Sequence, residues 1–123
     1  MNILIVDDNN DAATSLCMLV ELLGHQARTA FDGKHAIELC NSFLPDLVFM
    51  DLQMPRMNGF EACRRIRELP GGHYVTVVAI SGCDGEQDRR MTRAASFNEH
   101  LGKPYDPARL AELISDLGTR ALQ

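Results

Sequence analysis

The sequence predicts an α/β domain of the (βα)5 type, a doubly wound five-stranded parallel sheet with helices on both faces. Three observations carry that prediction. Short apolar runs alternate five times with amphipathic stretches along 123 residues. The strongest runs are apolar throughout instead of alternating, as strands buried on both faces are. Glycine and proline stand at the boundaries between segments. The length suits one domain spanning 1–123, because two halves of about 60 residues would each be marginal.

The elements follow in order. Residues 3–6 (Ile-Leu-Ile-Val) make the first strand. Ala12, Leu16, Leu19 and Leu23 then recur at helical spacing on one face, and Gly24 stops that helix. Residues 26–30 read as a weaker strand of edge character. The second helix covers 33–43, with Ala36, Ile37 and Cys40 as its stripe and Pro45 past its end. Residues 46–50 (Asp-Leu-Val-Phe-Met) form the third strand. A helix over 60–69 turns Cys63 and Ile66 inward and Arg64, Arg65 and Arg67 toward water, until Pro70-Gly71-Gly72 breaks it. Residues 74–80 are the fourth strand, and 86–95 a short polar helix whose modest apolar face is Met91, Ala94 and Ala95. Residues 99–101 make a short fifth strand, and the last helix, 107 to about 122, shows Leu110, Leu113, Ile114 and Leu117.

Composition excludes several classes. Hydrophobic residues are 46% and charged residues 24%, so a core is affordable and disorder is not expected. A net charge of −5 argues against direct nucleic-acid binding and against an anionic membrane surface. No apolar run is long enough for membrane insertion. Met1 leads straight into the first strand with no basic leader, so no secretory signal is expected. The four cysteines, Cys17, Cys40, Cys63 and Cys83, form no C-x-x-C pair and are expected to stay reduced in the cytosol.

Doubly wound sheets place chemistry beyond the carboxyl ends of the strands, where strand order reverses. Those ends carry Asp7-Asp8 after the first strand, Asp51 after the third, Ser81 after the fourth and Lys103 after the fifth. Any one of them has a plainer explanation. An Asp after a strand commonly caps the next helix or favours its N-terminus, and a Ser or Lys in a loop is ordinary. Five such groups on one rim exceed what capping explains. Two carboxylates about 5 Å apart at an effective dielectric near 20 repel by about 3 kcal/mol. Three in one cleft are costly unless a cation joins them or one stays protonated. Carboxylates with waters and a phosphoryl oxygen suit Mg2+. Mg2+, an ammonium and a hydroxyl around one carboxylate suit phosphoryl transfer with aspartate as nucleophile.

The stretches ILIVDDN (3–9), PDLVFMDLQMPRMNGFE (45–61), VVAISG (77–82) and HLGKP (100–104) give the whole chain a resemblance to the receiver domains of two-component response regulators. That resemblance implies a flavodoxin-like fold with strand order 2-1-3-4-5. It implies Asp51 as phosphoacceptor. Asp8, Asp51 and the backbone carbonyl of Gln53 would ligate Mg2+ directly, and Asp7 through a coordinated water. Ser81 would bond a phosphoryl oxygen after modification, and Lys103 would pair with the carboxylate or phosphate. Lys103-Pro104 matches the family's Lys-Pro step, where a cis peptide is usual. The chain departs from the commonest pattern in two places: His100 stands where Tyr or Phe usually swings with the switch, and Ser81 replaces Thr. Gln53 and Cys83 occupy the two positions that in the family tune phosphate lifetime. The AASFNEHLGKP run is most similar to receivers attached to hybrid sensor histidine kinases.

The implied partners are a histidine kinase or histidine phosphotransfer protein as donor. A downstream effector would meet the face built by the fourth helix, fifth strand and fifth helix. The implied location is cytoplasmic, alone or within a membrane-anchored hybrid kinase. Catalysis would be limited to the chain's own phosphorylation and hydrolysis, so it is not classed as an enzyme. The chain stops after the fifth helix, as a single-domain regulator or as a piece of a longer protein. Arg89, Arg90 and Arg93 read as a solvated basic face, and Met50, Met54 and Met57 as packing and loop closure. Three rivals remain. An FMN protein would want a Ser/Thr/Gly-rich phosphate loop where Asp7-Asp8-Asn9-Asn10 stands. A Mg2+-dependent phosphatase would want an acid or base at Gln53 and a substrate cap. A docking module would leave the acidic set unused.

Overall fold

The computed structural model describes residues 1–54, 56–82 and 86–121. Its elements are β1 (Asn2–Val6), α1 (Asn10–Leu22), β2 (Gln26–Ala30), α2 (Gly33–Ser42), β3 (Leu47–Asp51), α3 (Gly59–Glu68), β4 (Thr76–Ser81), α4 (Glu86–Ala94), β5 (Glu99–Gly102) and α5 (Pro107–Ala121). One 3-10 turn, Gly72–Tyr74, precedes β4. The strands pair in parallel in the order β2-β1-β3-β4-β5, as expected.

Side chains alternate across each strand, and the two sets face different helices. Leu4, Val6, Val48, Met50, Val77 and Ala79 pack with Ala36 and Cys40 of α2 and with Ala62, Cys63 and Ile66 of α3. Ile3, Ile5, Leu47, Phe49, Val78, Ile80 and Leu101 pack with α1 and with Leu110, Leu113, Ile114 and Leu117 of α5. Every residue of β3 is buried, which explains its unbroken apolar run. β2 alternates exposed and half-buried positions, as an edge strand does.

Several expectations need correction. The buried stripe of α1 is Ala13, Leu16 and Val20; Leu23 is an exposed C-cap. From Leu16 to Leu23 only Glu21 is polar, so periodicity alone could not choose a face. Tyr74 lies in the 3-10 turn, not in β4, and is exposed. Gly72 is packed so tightly under α3 that a Cβ there would sit 1.8 Å from the Ile66 carbonyl oxygen. Arg67 is not free in water. Its guanidinium donates to the Gly72 carbonyl (2.9 Å), the Val75 carbonyl, the Ser96 carbonyl (2.7 Å) and Asn98 Oδ1 (2.8 Å). On α4, Met91 and Ala94 are exposed, and Thr92 is the buried position. Cys83 and the expected end of the last helix at Leu122 lie outside the described residues.

Candidate functional site

β1 and β3 are neighbours where strand order reverses, and Val6 pairs with Met50 in register. The next residue of each strand is therefore an aspartate beside an aspartate. Asp7, Asp8 and Asp51 each offer a carboxylate oxygen, all within 4.8 Å of one another. Asp7 and Asp51 are buried, each 7% exposed, and Asp8 is exposed. None of the three caps a helix. Asn9 caps α1 by accepting the Ala12 N–H at 3.0 Å, and Asn58 caps α3 by accepting the Glu61 N–H at 3.0 Å. Capping, the plainer explanation for these aspartates, is thus taken by other residues.

Lys103 supplies the counter-charge. Its Nζ lies 3.4 Å from Asp7 Oδ2 and 3.8 Å from Asp51 Oδ2. The backbone aims it: the Lys103 N–H donates to the Ser81 carbonyl at 2.8 Å, and the Lys103-Pro104 peptide is cis. The Asn9 N–H donates to Asp7 Oδ1 at 3.0 Å, and the Gln53 N–H donates to Asp51 Oδ1 at 3.1 Å. Burial pushes the Asp51 carboxyl up to about 6; the Asp7 charge adds to this, while the Gln53 amide and Lys103 ammonium oppose it. The arrangement holds more negative charge than one ammonium balances, with oxygen donors throughout. That donor set fits a hard divalent cation.

Close approaches fix the start of α3 and the seat of Met57. A Cβ on Gly59 would lie 2.6 Å from the Asp51 carbonyl oxygen, so only glycine lets α3 start against the end of β3. A Cβ on Gly33 would meet Met57 Sδ at 2.7 Å, which shows Met57 seated on the start of α2. Met50 and Met54 are buried, so these methionines pack and close the loop. An apolar cavity of about 430 Å3 adjoins the site, with Ala12, Leu16, Pro104 and Tyr105 beside Asp7 and Lys103 in its lining.

The remaining expected residues lie one strand further out. Ser81 ends β4 and is buried. On β5, His100 is in register with Ala79, and Gly102 with Ser81. Leu101 packs toward α1 and α5, so His100 faces the opposite side, the side of Ala79 and Ser81. His100 Nδ1 is 3.2 Å from Thr92 Oγ1. Sequence reasoning missed Thr92. Its one signal is a β-branched residue with a short hydroxyl in a helix where charged side chains predominate.

An open parallel sheet carrying a buried acidic pocket and a lysine at its reversal point defines a receiver-type α/β module. The family model for the response regulator receiver domain matches residues 3–115, and the chain belongs to that family. An uncharacterised 14.6 kDa protein of Leptolyngbya boryana is 38% identical over 93% of this chain and 87% of its own length. Response regulator PleD of Caulobacter vibrioides is 31% identical over 94% of this chain, which spans 25% of that protein. The receiver domain of sensor histidine kinase PA1611 from Pseudomonas aeruginosa, solved with a magnesium ion coordinated in its active site cleft, superposes with a TM-score of 0.86. It is 28% identical to this chain and covers 95% of it and 97% of its own chain. A receiver is a signalling module of two-component systems, not an enzyme with an external substrate, and its phosphodonor is a histidine kinase. No described helix is long and apolar enough to cross a membrane.

Proposed function

We propose that 1–123 is one receiver domain in which Asp51 accepts a phosphoryl group from a phosphohistidine in a Mg2+-dependent reaction. The observation that carries this reading is the convergence of Asp7, Asp8 and Asp51 with the Lys103 ammonium within 4 Å of two of them. Asp8 and Asp51 through carboxylate oxygens, Gln53 through its carbonyl and Asp7 through a water would hold the ion. Bound there, Mg2+ supplies charge neutralisation for the phosphoryl oxygens.

The chain's own groups do the rest. The Gln53 N–H fixes Asp51 Oδ1, which leaves Oδ2 on the Lys103 side as the attacking oxygen. An O–P bond forms as the donor's N–P bond breaks, and the electron pair leaves with the imidazole. Lys103 stabilises the charge that gathers on the transferring oxygens. The product carries about −1.5 to −2 charge at Asp51. Ser81 then donates to a phosphoryl oxygen and draws its loop inward. His100 follows toward Ser81, and the face of α4, β5 and α5 changes shape for an effector. Two or three charge-assisted hydrogen bonds of about 1.5–3 kcal/mol each supply the roughly 5.5 kcal/mol that inverts a 1:99 equilibrium. The donor's phosphate originates in ATP, which favours a cytoplasmic setting, alone or within a hybrid kinase. Gln53 beside the acyl phosphate is placed to influence its hydrolysis.

Intact-mass analysis after incubation with acetyl phosphate tests this. The chain is expected to gain one phosphoryl mass with Mg2+ and none with a chelator. A gain that ignores the metal contradicts the reading.

A further inference from the structure

α4 is attached to the domain differently from the other helices. α1, α2, α3 and α5 each bury apolar side chains against the sheet. Along α4, the one described side chain that is buried is Thr92, 1% exposed, while Met91 is 51% exposed. A polar group therefore holds the place that an apolar stripe holds elsewhere.

The Thr92 hydroxyl meets two partners: the Arg89 carbonyl at 2.9 Å and His100 Nδ1 at 3.2 Å. A carbonyl only accepts, and a hydroxyl has one proton. Both contacts are satisfied when Oγ1 donates to Arg89 O and accepts from His100 Nδ1–H. The arrangement thus fixes the ring's tautomer, with the proton on Nδ1. The Arg89 guanidinium adds a second tie by donating to the His100 carbonyl at 3.3 Å. His100 in turn shares a face of the sheet with Ala79 and Ser81. Ala79 is its register neighbour on β4.

Resting on the reading of Ser81 and His100 as the moving pair, we propose that Thr92 is the latch of the switch. Its hydrogen bond to Nδ1 holds the His100 ring against α4, and α4 against β5, in the unphosphorylated state. Drawing His100 toward Ser81 takes away the buried anchor of α4. Oγ1 keeps its bond to the Arg89 carbonyl within the helix, so α4 shifts as a helix and does not melt. Thr92 touches no reacting atom; it is a positioning residue that acts through His100 on the balance between the two states. Removing the latch destabilises the resting state alone, which raises the share of the binding-competent state before any phosphate arrives.

The test compares wild type, Thr92→Val and Thr92→Ser by titration with beryllofluoride and Mg2+, by amide exchange along α4, and by long-range 15N–1H spectra of the His100 ring. Thr92→Val removes both hydroxyl bonds, but the Arg89 bond is common to the two states, so loss of the His100 bond is expected to tighten beryllofluoride binding about 2- to 10-fold. Its α4 amides are expected to exchange faster at rest, and Thr92→Ser to match wild type in both. A merely structural loss would weaken binding or leave it unchanged, and either result overturns the latch. Resting wild type is expected to show a protonated Nδ1 whose signal moves on beryllofluoride addition. A bare Nδ1 overturns the proposal even if Thr92→Val fails to fold. Wild type that fails to bind beryllofluoride with Mg2+ overturns the phosphoacceptor reading and the latch with it; tight wild-type binding with an inert Thr92→Val removes the latch alone.

Discussion

Asp51 is held against its own charge, because burial and the Asp7 carboxylate outweigh the Gln53 amide and Lys103, and the carboxyl is pushed up to about 6. An unfolded aspartate titrates near 3.9. Between roughly pH 4 and 6 the metal-free native state therefore binds more protons than the unfolded state, and stability falls as pH rises through that window. Asp51→Asn keeps the acceptor for the Gln53 N–H and removes the charge. Thermal melts without metal should show the variant more stable than wild type at pH 8, with the difference closing below about pH 4. A variant no more stable at pH 8 contradicts this electrostatic account. Lys103 opposes the rise, so Lys103→Met is expected to move the Asp51 carboxyl 13C titration midpoint above that of wild type. The strand-end residues Asp7, Asp8, Asp51, Ser81 and Lys103 were readable from the sequence because a polar group right after an apolar run has few positions to occupy. Thr92 and Arg67 were not, since the His100 imidazole that meets Thr92 and the Ser96 and Asn98 oxygens that meet Arg67 come from segments that only folding brings near.

At the level of elements, the errors follow from what periodicity can and cannot encode. From Leu16 onward α1 is apolar except for Glu21, so its Leu16 and Val20 face could not be told from the one a residue earlier. α4 has too little apolar content to show a face at all. The third helix gave Cys63 and Ile66 correctly, yet its three arginines look alike in sequence and differ in the fold. Arg64 pairs with Glu61 and Glu68 at 3.7 and 3.8 Å on an exposed surface. Arg67 instead ties α3 to the 3-10 turn and to the turn before β5. Arg67→Ala is expected to cost about 2–3 kcal/mol in urea unfolding, and Arg64→Ala less than about 0.5. Equal effects would refute the clamp. Gly59→Ala forces α3 away from the end of β3, so loss of stability should accompany slower phosphorylation by acetyl phosphate.

For the molecule as a whole, strand count, order and the doubly wound covering of the sheet were readable, because unbroken apolar runs and parallel crossovers leave few topologies. Both faces of the sheet are closed by helices, and Asp7, Asp8 and Asp51 meet at one rim. Binding a divalent cation there should stabilise the whole fold by mass action, about 2.7 kcal/mol at 100 times the dissociation constant. Melting temperature should rise with Mg2+ in wild type and far less in Asp51→Asn. The most direct measurement locates the modification itself: the chain is phosphorylated with acetyl phosphate and Mg2+, reduced with borohydride and mapped by peptide mass spectrometry. Reduction at Asp51 alone, absent from Asp51→Asn, is the predicted result. A label on any other residue, or one that survives the substitution, contradicts the account.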